Sequence, residues 1–364
     1  MLALLIWAPL VLSSEETAVI DKYVRAYYIP GWGDSATMFA HSLAKIGDMN
    51  GDGITDIAAG TPYDGDDDDG RVVIMFLQTT GAWSAYNTIS TSDLGIENGN
   101  KPRLGFGLAR IDDRNDDDGG VDLAMSSIGA YSLSPYPEGC VHLAHLTSSG
   151  DVTGTVRHLN GSFYGVTEKG ANFGWAIAAC GNWSESNSAE HDLLVGAPGH
   201  REQGRNGTGC VFLLNPWNYP NNRSASRVCA GEVSPGDVGA AATNLGSSLA
   251  YLGGRSVAVG APLGGNAGEG AVWLLTLSAT LGVERAVMLQ TDRVLDLSSG
   301  NNFGAAVAVL SSVEPEDGGV CSSGDAPGYK LKHANLYLFT HSFGQYFQDD
   351  EEILFCFDFA ESTF

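Results

Sequence analysis

Two copies of one short pattern decide how this chain folds. The sequence FGWA at residues 173–176 is followed by DLLVGAP at 192–198 and GCVFL at 209–213. In the same way, LGSSLA at 245–250 is followed by VAVGAP at 257–262 and GAVWL at 270–274. Short apolar runs that end in glycine or proline are typical of strands joined by tight turns. The chain therefore repeats a unit of short strands.

The same unit recurs on both sides of these two copies. One copy contains FAHSLA at 39–44, IAAGTP at 57–62 and GRVVIMF at 70–76, and another contains FGLA at 106–109, VDLAM at 121–125 and GCVHL at 139–143. A fifth opens with FGAAVA at 303–308 and closes with ANLYLF at 334–339, and a loop around 314–328 obscures its middle strand. The copies begin near residues 39, 106, 173, 245 and 303, at intervals of 67, 67, 72 and 58 residues. This period predicts an all-β fold, a β-propeller with one blade per copy.

The Phe-Gly opening, the Gly-Ala-Pro end of the next strand and the acidic loop between them resemble the FG-GAP repeat of integrin alpha chains. Residues 196–198 and 260–262 match Gly-Ala-Pro outright, and residues 60–62 differ at one position. The resemblance runs from about residue 39 to residue 339. It implies four-stranded blades with ligand-binding loops on one face and calcium loops on the other. Integrin propellers have seven blades, whereas five repeats are evident in this sequence. The number of blades is therefore left open: five to seven blades, or a truncated ring.

The loop of the first repeat, DMNGDGITD at residues 48–56, is a candidate calcium site. It places oxygen-bearing side chains at its positions 1, 3, 5 and 9, and a glycine at position 6 permits a sharp turn. Calcium prefers six to eight oxygen ligands. The expected ligands are the side chains of Asp48, Asn50, Asp52 and Asp56 and the carbonyl of Ile54. An EF-hand loop begins with the same spacing, but it needs a glutamate at position 12. Position 12 here is alanine, which excludes the EF-hand.

The loop of the second repeat, residues 113–122, is a weaker version of the same pattern. Asp113, Asn115 and Asp117 keep the spacing, whereas the last carboxylate, Asp122, comes one residue late. We expect this loop also to bind calcium, with altered geometry, because the cation would relieve the repulsion between its carboxylates.

Two other segments are candidates for a cation site or a disulfide. The acidic run DGDDDDG at residues 64–70 is expected to be a solvated loop, with a weak second cation site as the alternative. Repeats three and four lack the acidic loop, and a disulfide involving Cys180 is one way to stiffen the third blade. His142 and His145 are three residues apart on a predicted strand, hence on opposite faces, which disfavours a shared metal.

The N-terminus, the cysteines and the glycosylation motifs predict a secreted glycoprotein. Residues 1–14 read as a signal peptide, and residues 15–364 as a single propeller domain. The six cysteines lack CxxC spacing, which disfavours zinc and redox motifs, and they permit 15 disulfide pairings. Four Asn-x-Ser/Thr motifs begin at Asn160, Asn182, Asn206 and Asn222.

Charge and motifs narrow the function. The formal net charge is −24, which disfavours nucleic acids and anionic membranes as partners, and no apolar run after the first segment is long enough for membrane insertion. The HExxH, GxSxG and P-loop patterns are absent from the sequence. We therefore expect a calcium-stabilised extracellular propeller that binds a protein or glycan, in adhesion or recognition, and is not an enzyme. The alternative is an accessory or catalytic propeller of a secreted hydrolase that acts on phospholipids or glycans.

Overall fold

The computed structural model describes residues 4–5, 23–24, 38–65, 68–80, 82–96, 101–111, 121–129, 137–183, 191–201, 209–216, 226–233, 243–265, 268–289, 302–311, 334–339 and 355–358. Within these residues the chain is almost entirely β-structure. Its helical elements there are one short helix, α1 (Ala230–Val233), and two 3-10 turns at Ser92–Leu94 and Gly161–Tyr164. No helix in this part of the chain is long and apolar enough to span a membrane.

The strands lie in antiparallel sheets, and neighbouring strands of each sheet follow one another in the chain. A separate pair consists of β1 (Leu4–Leu5) and β2 (Tyr23–Val24). Blade one contains β3 (Leu43–Gly47), β4 (Asp56–Thr61), β5 (Arg71–Leu77) and β6 (Trp83–Ser90). Blade two contains β7 (Leu104–Ile111), β8 (Val121–Ser127), β9 (Cys140–Leu146) and β10 (Val152–Asn160).

The next blades follow the same plan. Blade three contains β11 (Ile177–Ala179), β12 (Leu193–Ala197), β13 (Cys210–Leu214) and β14 (Ser226–Cys229). Blade four contains β15 (Ser248–Gly253), β16 (Ser256–Ala261), β17 (Ala271–Leu277) and β18 (Val283–Leu289). A three-stranded fifth sheet contains β19 (Ala306–Ser311), β20 (Ala334–Phe339) and β21 (Phe355–Asp358).

The four four-stranded sheets confirm the all-β propeller. In the fifth repeat, 334–339 was expected to be the closing strand beyond an obscured middle strand. The structure instead pairs β20 directly with β19, so 334–339 is itself the second strand of the sheet. The loop that the sequence placed around residues 314–328 lies outside the described residues.

The hydrophobic core lies between neighbouring blades, because alternate residues of each strand face opposite sides of its sheet. In β13, Val211 and Leu213 pack with blade four, whereas Phe212 and Leu214 pack with blade two. A further cluster joins blade one to blade two through residues such as Ile74 and Leu123. The two middle strands of each four-stranded blade are thus buried on both faces along most of their length, which explains why these strands are almost continuously apolar.

The glycines of the repeat allow adjacent blades to touch. Gly196, in the Gly-Ala-Pro segment of blade three, lies so close to blade four that an added Cβ would overlap the carbonyl oxygen of Gly246. Gly60 and Gly260 meet the following blades at Gly105 and Gly304 in the same way. The motif is therefore a packing device between blades.

These contacts correct the start of the second repeat. Leu104 forms an isolated parallel bridge with Gly70, as Phe303 does with Gly270. Gly105, with φ 99°, therefore takes the motif position that Gly304 takes in the fifth repeat. The second repeat begins at Leu104, two residues before the predicted Phe106, because Leu-Gly replaces Phe-Gly there and the Phe-Gly that follows lies inside β7.

A disulfide between Cys210 and Cys229 joins β13 to β14 in blade three. The disulfide expected for Cys180 is wrong, because Cys180 is a buried free thiol that contacts the carbonyl oxygen of Asp192 at 3.3 Å. Blade three is thus crosslinked, but by its two outer strands rather than at the turn of Cys180.

Candidate functional site

The loop between β3 and β4, residues 48–56, is folded around its own carboxylates. The side chain of Asp48 accepts hydrogen bonds from three main-chain amides of the loop: Gly51 at 2.8 Å, Asp52 at 3.0 Å and Gly53 at 2.8 Å. Both glycines have positive φ, 78° for Gly51 and 84° for Gly53, which lets the chain turn tightly enough to point these amides inward. Asp48 therefore organises the first half of the loop.

The next two predicted ligands continue this pattern two residues apart. Asn50 Oδ1 accepts from the amide of Asp52 at 2.9 Å, and Asp52 Oδ1 accepts from the amide of Ile54 at 2.8 Å. The side-chain amide of Asn50 also donates to Asp52 Oδ2 at 3.0 Å. Such Asx turns fix each side-chain oxygen close to the backbone that follows it. Asp48, Asn50 and Asp52 are exposed, whereas Ile54 is half-buried.

Asp56, the last predicted side-chain ligand, connects the loop to the body of blade one. It is fully buried, and its carboxylate accepts from the amide of Met49 at 3.0 Å and from the amide of Leu77 at 2.9 Å. Leu77 ends β5, so this one side chain joins the start of the loop to the third strand. Asp56 positions the loop whether or not a metal is bound.

The donor set of the loop fits calcium. A carboxylate oxygen can accept more than one bond, and each oxygen of Asp52 and Asp56 accepts one of the bonds just described. Four side chains and the Ile54 carbonyl offer hard oxygen donors, to which water can be added. Among the described residues, the three loop carboxylates do not form a group with oxygens all within 4.8 Å of one another. A cation would therefore have to draw them closer.

Of the four candidate ligands of the second repeat, the structure describes only Asp122. Asp113, Asn115 and Asp117 lie outside the described residues. Asp122 lies in β8, is 5% exposed, and its Oδ1 is 3.1 Å from Nδ1 of His145 on β9. This buried pair gives Asp122 a protein partner, so its part in a metal site stays a prediction.

The acidic run at 64–70 is partly neutralised by basic side chains. Asp64 forms an ion pair with Arg71 at 2.9 Å, and Asp68 lies 3.3 Å from Lys101 and 3.9 Å from Arg103. Residues 66–67 lie outside the described residues. The paired carboxylates favour the expected loop over the alternative cation site.

An aromatic cluster lies at the opposite end of these blades from the 48–56 loop. His41 precedes β3 and Tyr63 follows β4, so both lie at the end that the loop does not occupy. Phe106 packs edge-on against both of them, at 4.6 Å and 5.8 Å between ring centroids, and contacts Trp175 at 4.8 Å. The guanidinium carbon of Arg103 lies 4.9 Å from the centroid of the Tyr63 ring.

Comparison with known proteins agrees with this architecture. The family model described as "FG-GAP repeat" matches residues 39–75, which contain β3, β4, the loop between them and most of β5. Blade one therefore matches the FG-GAP repeat, and the four four-stranded sheets form a β-propeller. Integrin alpha-PS2 of Drosophila melanogaster is 38% identical over 125 residues, which is 33% of this chain and 8% of the relative. Integrin alpha-IIb of Mus musculus is 33% identical over 98 residues, 27% of this chain and 9% of the relative. The matched segments thus span less than a tenth of either integrin.

The propeller also contains a polar cluster that sequence reasoning missed. Cys140 and His142 on β9 lie beside His158 on β10, and their ligand atoms are all within 4.8 Å of one another. His142 and His145, three residues apart, have different partners, as expected of side chains on opposite faces. The useful signal was the spacing of two between Cys140 and His142, which places both side chains on one face of a strand.

Proposed function

We propose that this chain is an extracellular, calcium-stabilised recognition module that binds a protein or glycan and has no catalytic role. The observation that carries the proposal is the arrangement of blade one. Its acidic loop lies at one end, and partly exposed aromatic side chains lie at the other. Calcium at Asp48, Asn50, Asp52, Asp56 and the Ile54 carbonyl would hold the loop and leave the opposite end open to a ligand.

The aromatic end has the composition of a binding surface. Tyr63, Arg103 and Trp175 are neither fully buried nor fully exposed, so each offers surface to a partner. Tyrosine, tryptophan and arginine are the residues that most often dominate binding energy at protein interfaces. Because Phe106 holds His41, Tyr63 and Trp175 together, this surface is rigid before binding, which lowers the entropy that binding would lose.

An extracellular setting has independent support. The Cys210–Cys229 disulfide is of a kind that persists in oxidising compartments. The described asparagines of the glycosylation motifs are accessible, since Asn182 is exposed and Asn160 is half-buried at the end of β10. Occupancy of these positions by glycans is measured by mass spectrometry of secreted protein.

The test uses a glycan array and an array of purified extracellular proteins, each probed with the whole chain in calcium and in EDTA. The proposal expects a saturable ligand that Tyr63→Ala and Arg103→Ala weaken at least several-fold. Arg285→Ala is the matched control, because Arg285 is exposed on β18, the outer strand of blade four. A ligand that the control weakens equally would contradict the assignment of the aromatic end. Turnover of a glycan or phospholipid in a parallel hydrolase screen would overturn the non-catalytic proposal.

A further inference from the structure

Blade two contains a buried cysteine and two histidines arranged as metal ligands. His142 Nδ1 lies 2.8 Å from His158 Nδ1 and 3.8 Å from Cys140 Sγ. Among the described residues, these three side chains form the only group of three His, Cys, Asp or Glu residues whose ligand atoms all lie within 4.8 Å of one another. We propose that Cys140, His142 and His158 bind one thiophilic d10 metal ion, Zn²⁺ or Cu⁺, separate from the calcium loop.

Strand register brings the three side chains together. Cys140 and His142 are two residues apart on β9 and share a face, and His158 on β10 is paired directly with His142. Ser127 on β8 is paired with Cys140 on the other side. Ala144 and Leu146 lie on the same face of β9 as Cys140 and His142, and both belong to the core shared with blade one. The site is therefore built on three rigid strands rather than on a loop.

The distances are close to those of a metal centre. Zinc binds histidine nitrogen at about 2.0–2.1 Å and thiolate at about 2.3 Å. Tetrahedral geometry then separates two nitrogens by about 3.3 Å, and a nitrogen from a sulfur by about 3.6 Å. The observed separations, 2.8 Å and 3.8 Å, need movements of a few tenths of an ångström. Three protein ligands leave the fourth position to water, or complete a trigonal site for Cu⁺.

Ser127 orients the central ligand. Its Oγ lies 2.7 Å from Nε2 of His142. Metal-binding histidines commonly donate their other ring N–H to a nearby oxygen, which fixes the ring and its tautomer. With Nε2–H donating to Ser127, the lone pair of His142 Nδ1 points toward Cys140 and His158. Ser127 is a positioning residue in this proposal.

Burial keeps the histidines in the form that binds metal. Desolvation lowers the pKa of His142 to about 3, with a smaller contribution from His158, and desolvation also lowers the pKa of His158. Both rings are therefore neutral at pH 7. Burial, assisted by Glu138, raises the pKa of the Cys140 thiol. A bound cation would reverse that preference, and the thiol proton would pass to solvent as the metal–thiolate bond forms.

Cys140 does not form a disulfide with the neighbouring strand, unlike the corresponding cysteine of blade three. In blade three, Cys210 is paired with Cys229. At the same place in blade two, Cys140 is paired with Asn160, and Cys140 is a free thiol. His142 likewise takes the position of the buried Phe212. A polar cluster thus replaces a crosslink and an aromatic ring, and half-buried His158 on the outermost strand gives an ion access.

The experiment titrates Zn²⁺, and Cu⁺ under reducing anaerobic conditions, into the whole chain after chelator treatment, with calcium present. Co²⁺ serves as a spectroscopic probe, because a thiolate ligand produces a sulfur-to-cobalt charge-transfer band. The proposal expects one ion per chain and that band, both lost in Cys140→Ser and His158→Gln. Ser127→Ala should weaken affinity by about 10- to 100-fold. Cys180→Ser, which removes the buried free thiol of blade three, is the control and should bind like the wild type.

A second measurement keeps the proposal falsifiable if the variants fail to fold. Slow alkylation of wild-type thiols, read by mass spectrometry, compares Cys140 with Cys180 in the presence and absence of metal. The site predicts that metal protects Cys140 at least tenfold and leaves Cys180 unchanged. Failure of both Zn²⁺ and Cu⁺ to bind stoichiometrically, binding that survives Cys140→Ser, or equal protection of both thiols would overturn it.

Discussion

Replacing Asp56 with alanine should destabilise the propeller even without calcium. The buried carboxylate accepts the amides of Met49 and Leu77, at 3.0 Å and 2.9 Å. Asp56→Ala leaves both buried donors without this partner, at a cost of about 1–3 kcal/mol each. We therefore expect the free energy of unfolding to fall by about 2–6 kcal/mol in EDTA. Asp56→Asn retains one acceptor oxygen and should lose less.

Urea denaturation followed by tryptophan fluorescence measures this loss, and Asp52→Ala is the matched control. Asp52 is exposed, and its bonds within the loop compete with water, so its removal in EDTA should cost less than about 1 kcal/mol. In calcium the loss caused by Asp52→Ala should grow, because this variant then also loses the stabilisation due to the bound ion. An Asp56→Ala chain that unfolds within 0.5 kcal/mol of the wild type in EDTA would refute the role given to Asp56, about 0.5 kcal/mol being typical of a neutral surface change.

Three further predictions concern packing, the crosslink and pH. Gly196→Ala should lower the free energy of unfolding by about 1–3 kcal/mol in urea titrations, because its Cβ would overlap the Gly246 carbonyl. Removing Cys210 and Cys229 together should cost about 3 kcal/mol, given their sequence separation of 19. Burial lowers the pKa of His41 from 6.5 to about 4. Between pH 6.5 and pH 4 the unfolded chain therefore binds a proton at His41 that the folded chain does not bind. The free energy of unfolding falls as the pH drops through this range. His41→Phe should reduce that slope by up to about 1.4 kcal/mol per pH unit in urea titrations across this range.

Each of these predictions has a control or a contrary result. Gly154→Ala meets no neighbour and is strained only by its positive φ of 70°, which Gly196 does not have. A loss at Gly196 is therefore due to the overlap, and unchanged stability of Gly196→Ala would contradict it. Cys180→Ser removes a thiol without a crosslink and should leave the denaturation midpoint above that of the Cys210/Cys229 double variant. An unchanged pH slope in His41→Phe would show that another group titrates.

The sequence predicted the fold well because the glycines that allow blades to touch leave a visible repeat. At Gly60, Gly196 and Gly260 an added Cβ would overlap the backbone of the next blade, so glycine recurs at this place in three of the repeats. The second repeat was placed two residues late because Leu104-Gly105 lacks the aromatic ring, while Phe106-Gly107 imitates the motif inside a strand. Only the bridge between blades distinguishes the two.

The two candidate metal sites differ in how far the sequence could predict them. The residues 48–56 are close in sequence, so spacing alone was enough to propose them as one set of ligands, and that proposal stays a prediction. Spacing could not show that Asp56 bonds to Leu77, 21 residues away. Cys140, His142 and His158 meet only through the register of two strands joined by a turn. Their cluster could not be predicted without knowing that His158 is paired with His142.

The most direct test of the account is calorimetric titration of calcium into secreted wild-type chain and Asp52→Ala, with thermal melts of both. We expect the wild type to bind one or two calcium ions and to melt at a higher temperature in calcium, and Asp52→Ala to lose one site and that part of the gain. If calcium neither binds nor raises the melting temperature of the wild type, the 48–56 loop is not a calcium site and the proposed stabilisation is wrong.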